Sequence, residues 1–207
     1  MSNCAVLIFA KAPQPGRVKT RLIPALGEAG ATQLYSELLR RQIEWISRQT
    51  PYAIELWVTP DDRHPLLQEL SREFSFRMSV QEGSDLGERM GHAAEQALQR
   101  HRRVLLLGVD CPALTAAHLS QAVSWLESGA DAVLGPAQDG GYVLLGLSCH
   151  HSALFEGHAW GGDDVAQTTR EAMTRIGWQW RELPPLWDLD RPDDLAQFQQ
   201  LGLEIPW

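Results

Sequence analysis

Short apolar runs alternate with helically periodic segments along almost the whole chain. Residues 5–10, 54–59, 77–81, 104–110 and 130–135 have the length and the Val, Ile and Leu content of buried strands. Between them, residues 31–47 place Leu34, Leu38 and Trp45 on one helical stripe, with Leu39, Ile43 and Ile46 flanking it. Residues 85–100 and 115–127 repeat that periodicity, with Asp85 and Thr115 as N-caps, and residues 66–72 form a shorter helix. Strand–helix–strand repetition predicts a mostly parallel sheet with helices on both faces.

The pattern then breaks. Asp139-Gly140-Gly141 is a turn signal, and the apolar run at residues 142–147 follows the previous strand too closely for a helical crossover, which needs about a dozen residues. That strand is expected to run antiparallel, making the sheet mixed. A helix at residues 165–175, a strand at 178–183 and a last helix at 192–201 complete the chain. With no linker, repeat or low-complexity stretch, residues 1–207 read as one α/β domain.

Composition narrows the picture. Hydrophobic residues make up 44% and charged residues 21% of the 207, as in an ordinary globular protein. A net charge of −8 argues against general nucleic-acid binding. No apolar stretch reaches the roughly 18 residues of a membrane span. The N-terminus has no basic region or cleavage site, so it reads as a first strand. Cys4, Cys111 and Cys149 lack metal-ligand spacing and leave an odd thiol, which suits a reducing cytoplasm.

Against this acidic background, Lys11, Arg17, Lys19 and Arg21 fall within eleven residues that contain no carboxylate. Pro13, Pro15 and Gly16 make the segment an irregular loop. It follows the first strand, where open α/β sheets place their ligands. Arginine forks and lysine point charges match phosphate oxygens there, whereas a purely solvated loop leaves the clustering unexplained. Neither GxxxxGK[ST] nor GxGxxG is present. Asp110 ends the fourth apolar run, in Gly108-Val109-Asp110-Cys111-Pro112. It can hold Mg²⁺ or Mn²⁺ or simply cap the next turn. Residues 188–195, Asp-Leu-Asp-Arg-Pro-Asp-Asp-Leu, also read as an ordinary helix start. Residues 139–141 also read as a structural hairpin turn. The histidines show no metal-ligand spacing, although His92 follows the segment 87–91 and can approach a site there. Core or rim packing accounts for the eight tryptophans.

The run Phe9-Ala-Lys11-Ala-Pro13-Gln-Pro15-Gly16-Arg-Val-Lys19-Thr20-Arg21-Leu22 resembles the opening of a bacterial family of glycosyltransferase-A-like proteins of uncertain substrate (the DUF2064 type). That family is related to the 2-phospho-lactate guanylyltransferases and the molybdenum-cofactor nucleotidyltransferases. The resemblance continues through residues 81–90, 108–112, 135–142, 159–165 and 188–195, nearly the whole chain. It implies a three-layer nucleotide-diphospho-sugar transferase fold. It also implies that Lys11, Gly16, Arg17, Lys19 and Arg21 wrap the donor's phosphates, Lys19 and Arg21 acting in catalysis, with Gly83, Asp85 and Gly87 contacting the base or sugar. Metal binding is implied for Asp110 and Asp190, with Asp188 in reserve. Asp139 is implied as general base, and Gly140, Gly141, Tyr142 and a Trp160-bearing lid as the acceptor side. Val109 and Arg191 depart from the family's usual Ser or Thr and Thr.

Together these features describe a Mg²⁺- or Mn²⁺-dependent transferase with a nucleotide or nucleotide-sugar donor and a small-molecule acceptor. Glycosyl transfer stands marginally ahead. Nucleotidyl transfer from an NTP to a small phosphorylated acceptor, with release of pyrophosphate, is the alternative. A nucleotide-sensing module without turnover is a third reading, which retention of Asp110, Asp139 and Asp190 opposes.

Overall fold

Seven strands hydrogen-bond in the order β3-β2-β1-β4-β6-β5-β7 in a computed structural model that describes residues 3–157 and 159–200. They are β1 (Cys4–Lys11), β2 (Ala53–Thr59), β3 (Arg77–Val80), β4 (Arg103–Leu107), β5 (Ala132–Pro136), β6 (Tyr142–Leu147) and β7 (Trp180–Glu182). As expected from the short connection before it, β6 runs antiparallel to both β4 and β5, and the other strand pairs are parallel.

Helices α1 (Ile23–Gln49), α2 (Pro65–Phe74) and α4 (Ala116–Glu127) cover one face, and α3 (Leu86–Leu98) and α5 (Val165–Arg175) the other. This explains the unbroken apolar run of β1. Val6, Ile8 and Ala10 enter the core under α1, while Ala5 and Leu7 enter the core under α3. The connections β1–α1–β2 and β2–α2–β3 step one way along the sheet. The connection through α3 steps back past β1 to β4, and a right-handed crossover in that direction lies on the opposite face. The sheet's switch point is therefore the crevice between the carboxyl ends of β1 and β4.

Several elements differ from the sequence pattern. Strand β4 stops at Leu107 instead of reaching Asp110, because the Gly108 carbonyl accepts from Gln42 Nε2 (2.9 Å) and the Asp110 carbonyl from the Leu189 N–H (2.7 Å). Helix α1 begins at Ile23, not residue 31, with Pro24 in its first turn and a break at Gly27 (φ 68°). Its buried stripe runs through Ala31, Leu34, Leu38, Leu39, Ile43 and Ile46, leaving Trp45 half-buried. Strand β7 covers Trp180–Glu182, shorter than the predicted 178–183. By contrast, Asp85 caps α3 as expected, its Oδ1 accepting from the Glu88 N–H at 2.9 Å. The last helix, α6 (Asp194–Gln200), starts later than residue 192, and its expected end at Leu201 lies outside the described residues. No helix among the described residues is long and apolar enough to cross a membrane.

Candidate active site

A cavity of about 620 Å³ opens at the switch point. Its back wall is the loop that leaves β1. Two hydrogen bonds anchor the loop's base: the Lys11 N–H donates to the Tyr35 hydroxyl (2.8 Å) and the Ala12 N–H to the Thr59 carbonyl (2.8 Å). Gly16 then turns the chain with φ 72°, and Lys19 adopts a left-handed conformation (φ 47°, ψ 42°) that is uncommon for a side-chain-bearing residue.

Lys11, Arg17, Lys19 and Arg21 all line the cavity, but in two states. The Lys19 side chain is only 3% exposed, with its ammonium 2.5 Å from Asp110 Oδ1 and donating to the Leu189 carbonyl. The Arg21 guanidinium donates to Asp190 Oδ2, which raises the arginine's pKa further. Lys11 and Arg17 have no side-chain partner among the described residues.

Opposite the cations lie four carboxylates. Asp110 follows β4, and Asp188 and Asp190 come from the segment before α6. Three links hold that segment beside β4: the Leu189 N–H to the Asp110 carbonyl, Lys19 to Leu189, and the Cys111 thiol to the Trp187 carbonyl (3.3 Å). Burial pushes the Cys111 thiol up to about 12, so it stays protonated. Asp194 Oδ2 accepts the N–H groups of Asp190 (2.9 Å) and Arg191 (2.6 Å).

Asp188 is pushed up from the ordinary 3.8 to about 6, first by burial and then by the charge of Asp139, with Asp110 and Asp190 adding to it. A recess of about 120 Å³ beside the main cavity is lined by Asp110, Asp139 and Asp188, but not by Asp190. Asp139 itself makes an Asx turn, its Oδ1 accepting from the Gly141 N–H at 2.9 Å. No group of three or more His, Cys, Asp or Glu residues among those described is close enough to chelate a metal unaided.

The front wall comes from α3, β6 and the loop before α5. Tyr142 and Trp160 line the cavity, and the Tyr142 hydroxyl donates to Met90 Sδ (3.8 Å). Gly140 lies behind the wall, where a Cβ would overlap the Asp163 carbonyl, and its own carbonyl accepts from the Ala166 N–H (2.9 Å). Gly87 also stands behind the wall. A Cβ there would lie 2.5 Å from Trp160 Nε1, so its missing side chain seats the indole. Gly83 and Asp85 shape the start of α3, and Gly16 bends the basic loop toward the Glu28 carboxylate; none of the three lines the cavity. His92 is also absent from the cavity wall. Its ring meets the edge of Trp57 at 6.1 Å, and its Nδ1 is buried without a described partner.

Tyr35, Gln81 and Arg89 join the wall without having been singled out from sequence. Tyr35 lies on the buried stripe of α1, where an aromatic reads as core. Gln81 Nε2 bridges the carbonyls of Ala10 (3.2 Å) and Trp57 (2.9 Å), closing the ends of β1 and β2. Arg89 lay within a segment that resembled the family, and its charge on the cavity side of α3 was the available signal.

Known proteins agree with this architecture. A structure from Desulfovibrio desulfuricans G20, provisionally described as a nucleotide-diphospho-sugar transferase, is 32% identical with a TM-score of 0.89, over 98% of this chain and 88% of that one. A cytidylyltransferase from Leptospira borgpetersenii serovar Hardjo-bovis matches at 13% identity and TM-score 0.60, over 100% of this chain and 90% of its own. The inositol-1-phosphate CTP transferase of T. maritima matches at 12% and 0.61, over 99% and 96%. The last two similarities establish the nucleotide-diphospho-sugar transferase fold alone. None of the curated proteins compared matches the chain. Residues 42–162 match the model of a family described as uncharacterized protein conserved in bacteria, DUF2064. With that match and the Desulfovibrio relative, the chain belongs to the DUF2064 family.

Proposed function

We propose that the chain is a metal-dependent transferase that moves a sugar from a nucleoside diphosphate sugar to a small acceptor. The pair Lys11 and Arg17 carries this reading. They are the two cations of the loop with no described side-chain partner, and two cations suit the two phosphates of a nucleoside diphosphate leaving group. A hard cation, Mg²⁺ or Mn²⁺, fits the oxygen donors opposite them. Asp110 and Asp188 are the pair to hold it, because the two share the recess and Asp190 does not line it. The carboxylate charges that add to burial in raising Asp188 would be offset by such an ion, with phosphate oxygens and water completing its shell. When bound, the ion neutralises charge on the departing diphosphate.

The chain's own groups supply the rest. Lys11 and Arg17 hold the phosphate oxygens. Lys19 acts by position, fixing Asp110 against residues 188–190. The acceptor hydroxyl oxygen forms a bond to the anomeric carbon as its proton passes to the Asp139 carboxylate. The bond from that carbon to the phosphate oxygen breaks, and its electron pair leaves with the nucleoside diphosphate.

One observation favours nucleotidyl transfer instead: all four cations line a single cavity, enough for a triphosphate once a metal frees Lys19 and Arg21. Calorimetric titration with nucleoside diphosphates, triphosphates and nucleotide sugars in Mn²⁺ separates the two. Glycosyl transfer predicts that nucleotide sugars bind and that diphosphates bind within about threefold of triphosphates. Triphosphates at least about tenfold tighter, with no nucleotide sugar bound, would overturn it.

A further inference from the structure

Taking the transferase reading as its basis, we infer that the front half of the cavity binds an acceptor with an apolar body and an anionic group, not a sugar or other polyol. The wall from α3 to the Trp160 loop is built of Leu86, Met90, Tyr142, Trp160 and Val165, with Arg89 its one charged side chain among the described residues. Leu86 is 42% exposed. Large apolar side chains this open to water are rare here, Val80 being the other among those described, and a ligand lying across the wall covers it.

The polar supply of this wall is sparse. Its hydroxyl, on Tyr142, is spent on Met90 Sδ; the polar side chains nearest it in the cavity are Asp139, reserved for the attacking hydroxyl, and Gln81, whose Nε2 is spent on the carbonyls of Ala10 and Trp57. The several hydroxyls of a polyol would leave water there without replacement partners. An aryl or alkyl body, in contrast, meets an aromatic and aliphatic surface held in place from behind. Gly87 seats the indole of Trp160, and Phe155 packs against Gly91.

Arg89 then selects for charge. Its Nε donates to the Gly83 carbonyl (2.9 Å), which orients the guanidinium plane, and its terminal nitrogens have no described partner. That leaves a fork suited to a carboxylate or phosphate. The donor's phosphates are accounted for elsewhere, on the Lys11 and Arg17 side.

Ligand-observed NMR titration of the full chain with 3-phenylpropionate, 3-phenylpropan-1-ol and gluconate tests this. We expect 3-phenylpropionate to bind, the alcohol to bind at least about tenfold more weakly, and gluconate not to bind. Arg89→Met should erase the preference for the acid over the alcohol, and Trp160→Leu should weaken both at least about fivefold. The wild-type series stands even if a variant fails to fold. Gluconate binding as well as 3-phenylpropionate would overturn the inference. So would displacement of 3-phenylpropionate by adenosine, guanosine, cytidine or uridine, which would make this wall the base subsite. A chain that binds 3-phenylpropionate but no nucleotide contradicts the transferase reading while the chemistry of this wall stands.

Discussion

The two ends of the basic loop carry the same charge and do different work. At its far end, Lys19 and Arg21 are committed to Asp110 and Asp190, and the Lys19 ammonium is nearly sealed from water. At the near and middle positions, Lys11 and Arg17 face the cavity without described partners. Charge counting alone makes these four residues equivalent. What separates them is the return of residues 188–190 past β4, which presents carboxylates to one end of the loop only. One end is built into the fold, and the other faces the cavity uncommitted.

The sharpest way to break this comparison is Lys19→Met set against Lys11→Met. Removing the Lys19 ammonium unfastens the loop from Asp110 and Leu189. Since Asp110 is 52% exposed and regains water, the loss should be about 2 kcal/mol rather than the larger cost of orphaning a fully buried charge. Urea denaturation should show it, with Lys11→Met within about 0.5 kcal/mol of wild type. Equal effects from the two would erase the distinction.

Asp188→Asn tests the carboxylate side. A carboxyl raised to about 6 in the folded chain stabilises it below the ordinary value near 3.8, and that contribution is lost as pH rises through 6. At pH 7.5 the folded state therefore bears a crowded charge that asparagine removes. With solvent screening, Asp188→Asn should gain about 1 kcal/mol there. The gain should shrink between pH 6 and pH 4 and vanish below. A gain that is flat with pH, or a loss at pH 7.5, would contradict the burial and crowding of this carboxyl. The smallest expected effect is that of Arg21→Ala. Its ion pair is open to solvent, so the melting temperature should barely change in low salt and not at all in high salt.

Much of the fold was readable from the pattern. The apolar run of β1 is long because both of its faces are buried, and the antiparallel β6 follows from a connection too short for a crossover. The end of β4 was not readable, because its last carbonyls are satisfied by Gln42 and Leu189, remote in sequence. That Asp188, and not Asp190, lines the recess with Asp110 was hidden for the same reason, since it depends on how residues 188–190 return past β4. Tyr35 was invisible because its position on α1 matches that of any core aromatic. Gly87 and Gly140 occur in segments that resembled ligand-contacting ones, yet their small size serves Trp160 and Asp163 behind the wall.

On the proposed reading, Lys11 and Arg17 grip phosphates while Lys19 holds the site together. Calorimetric titration with pyrophosphate and Mg²⁺ tests it without reference to base or sugar, comparing wild type with the Lys11→Ala/Arg17→Ala double variant. In the double variant, affinity should fall at least about thirtyfold with thermal stability retained. Undiminished pyrophosphate binding in a folded double variant would contradict it.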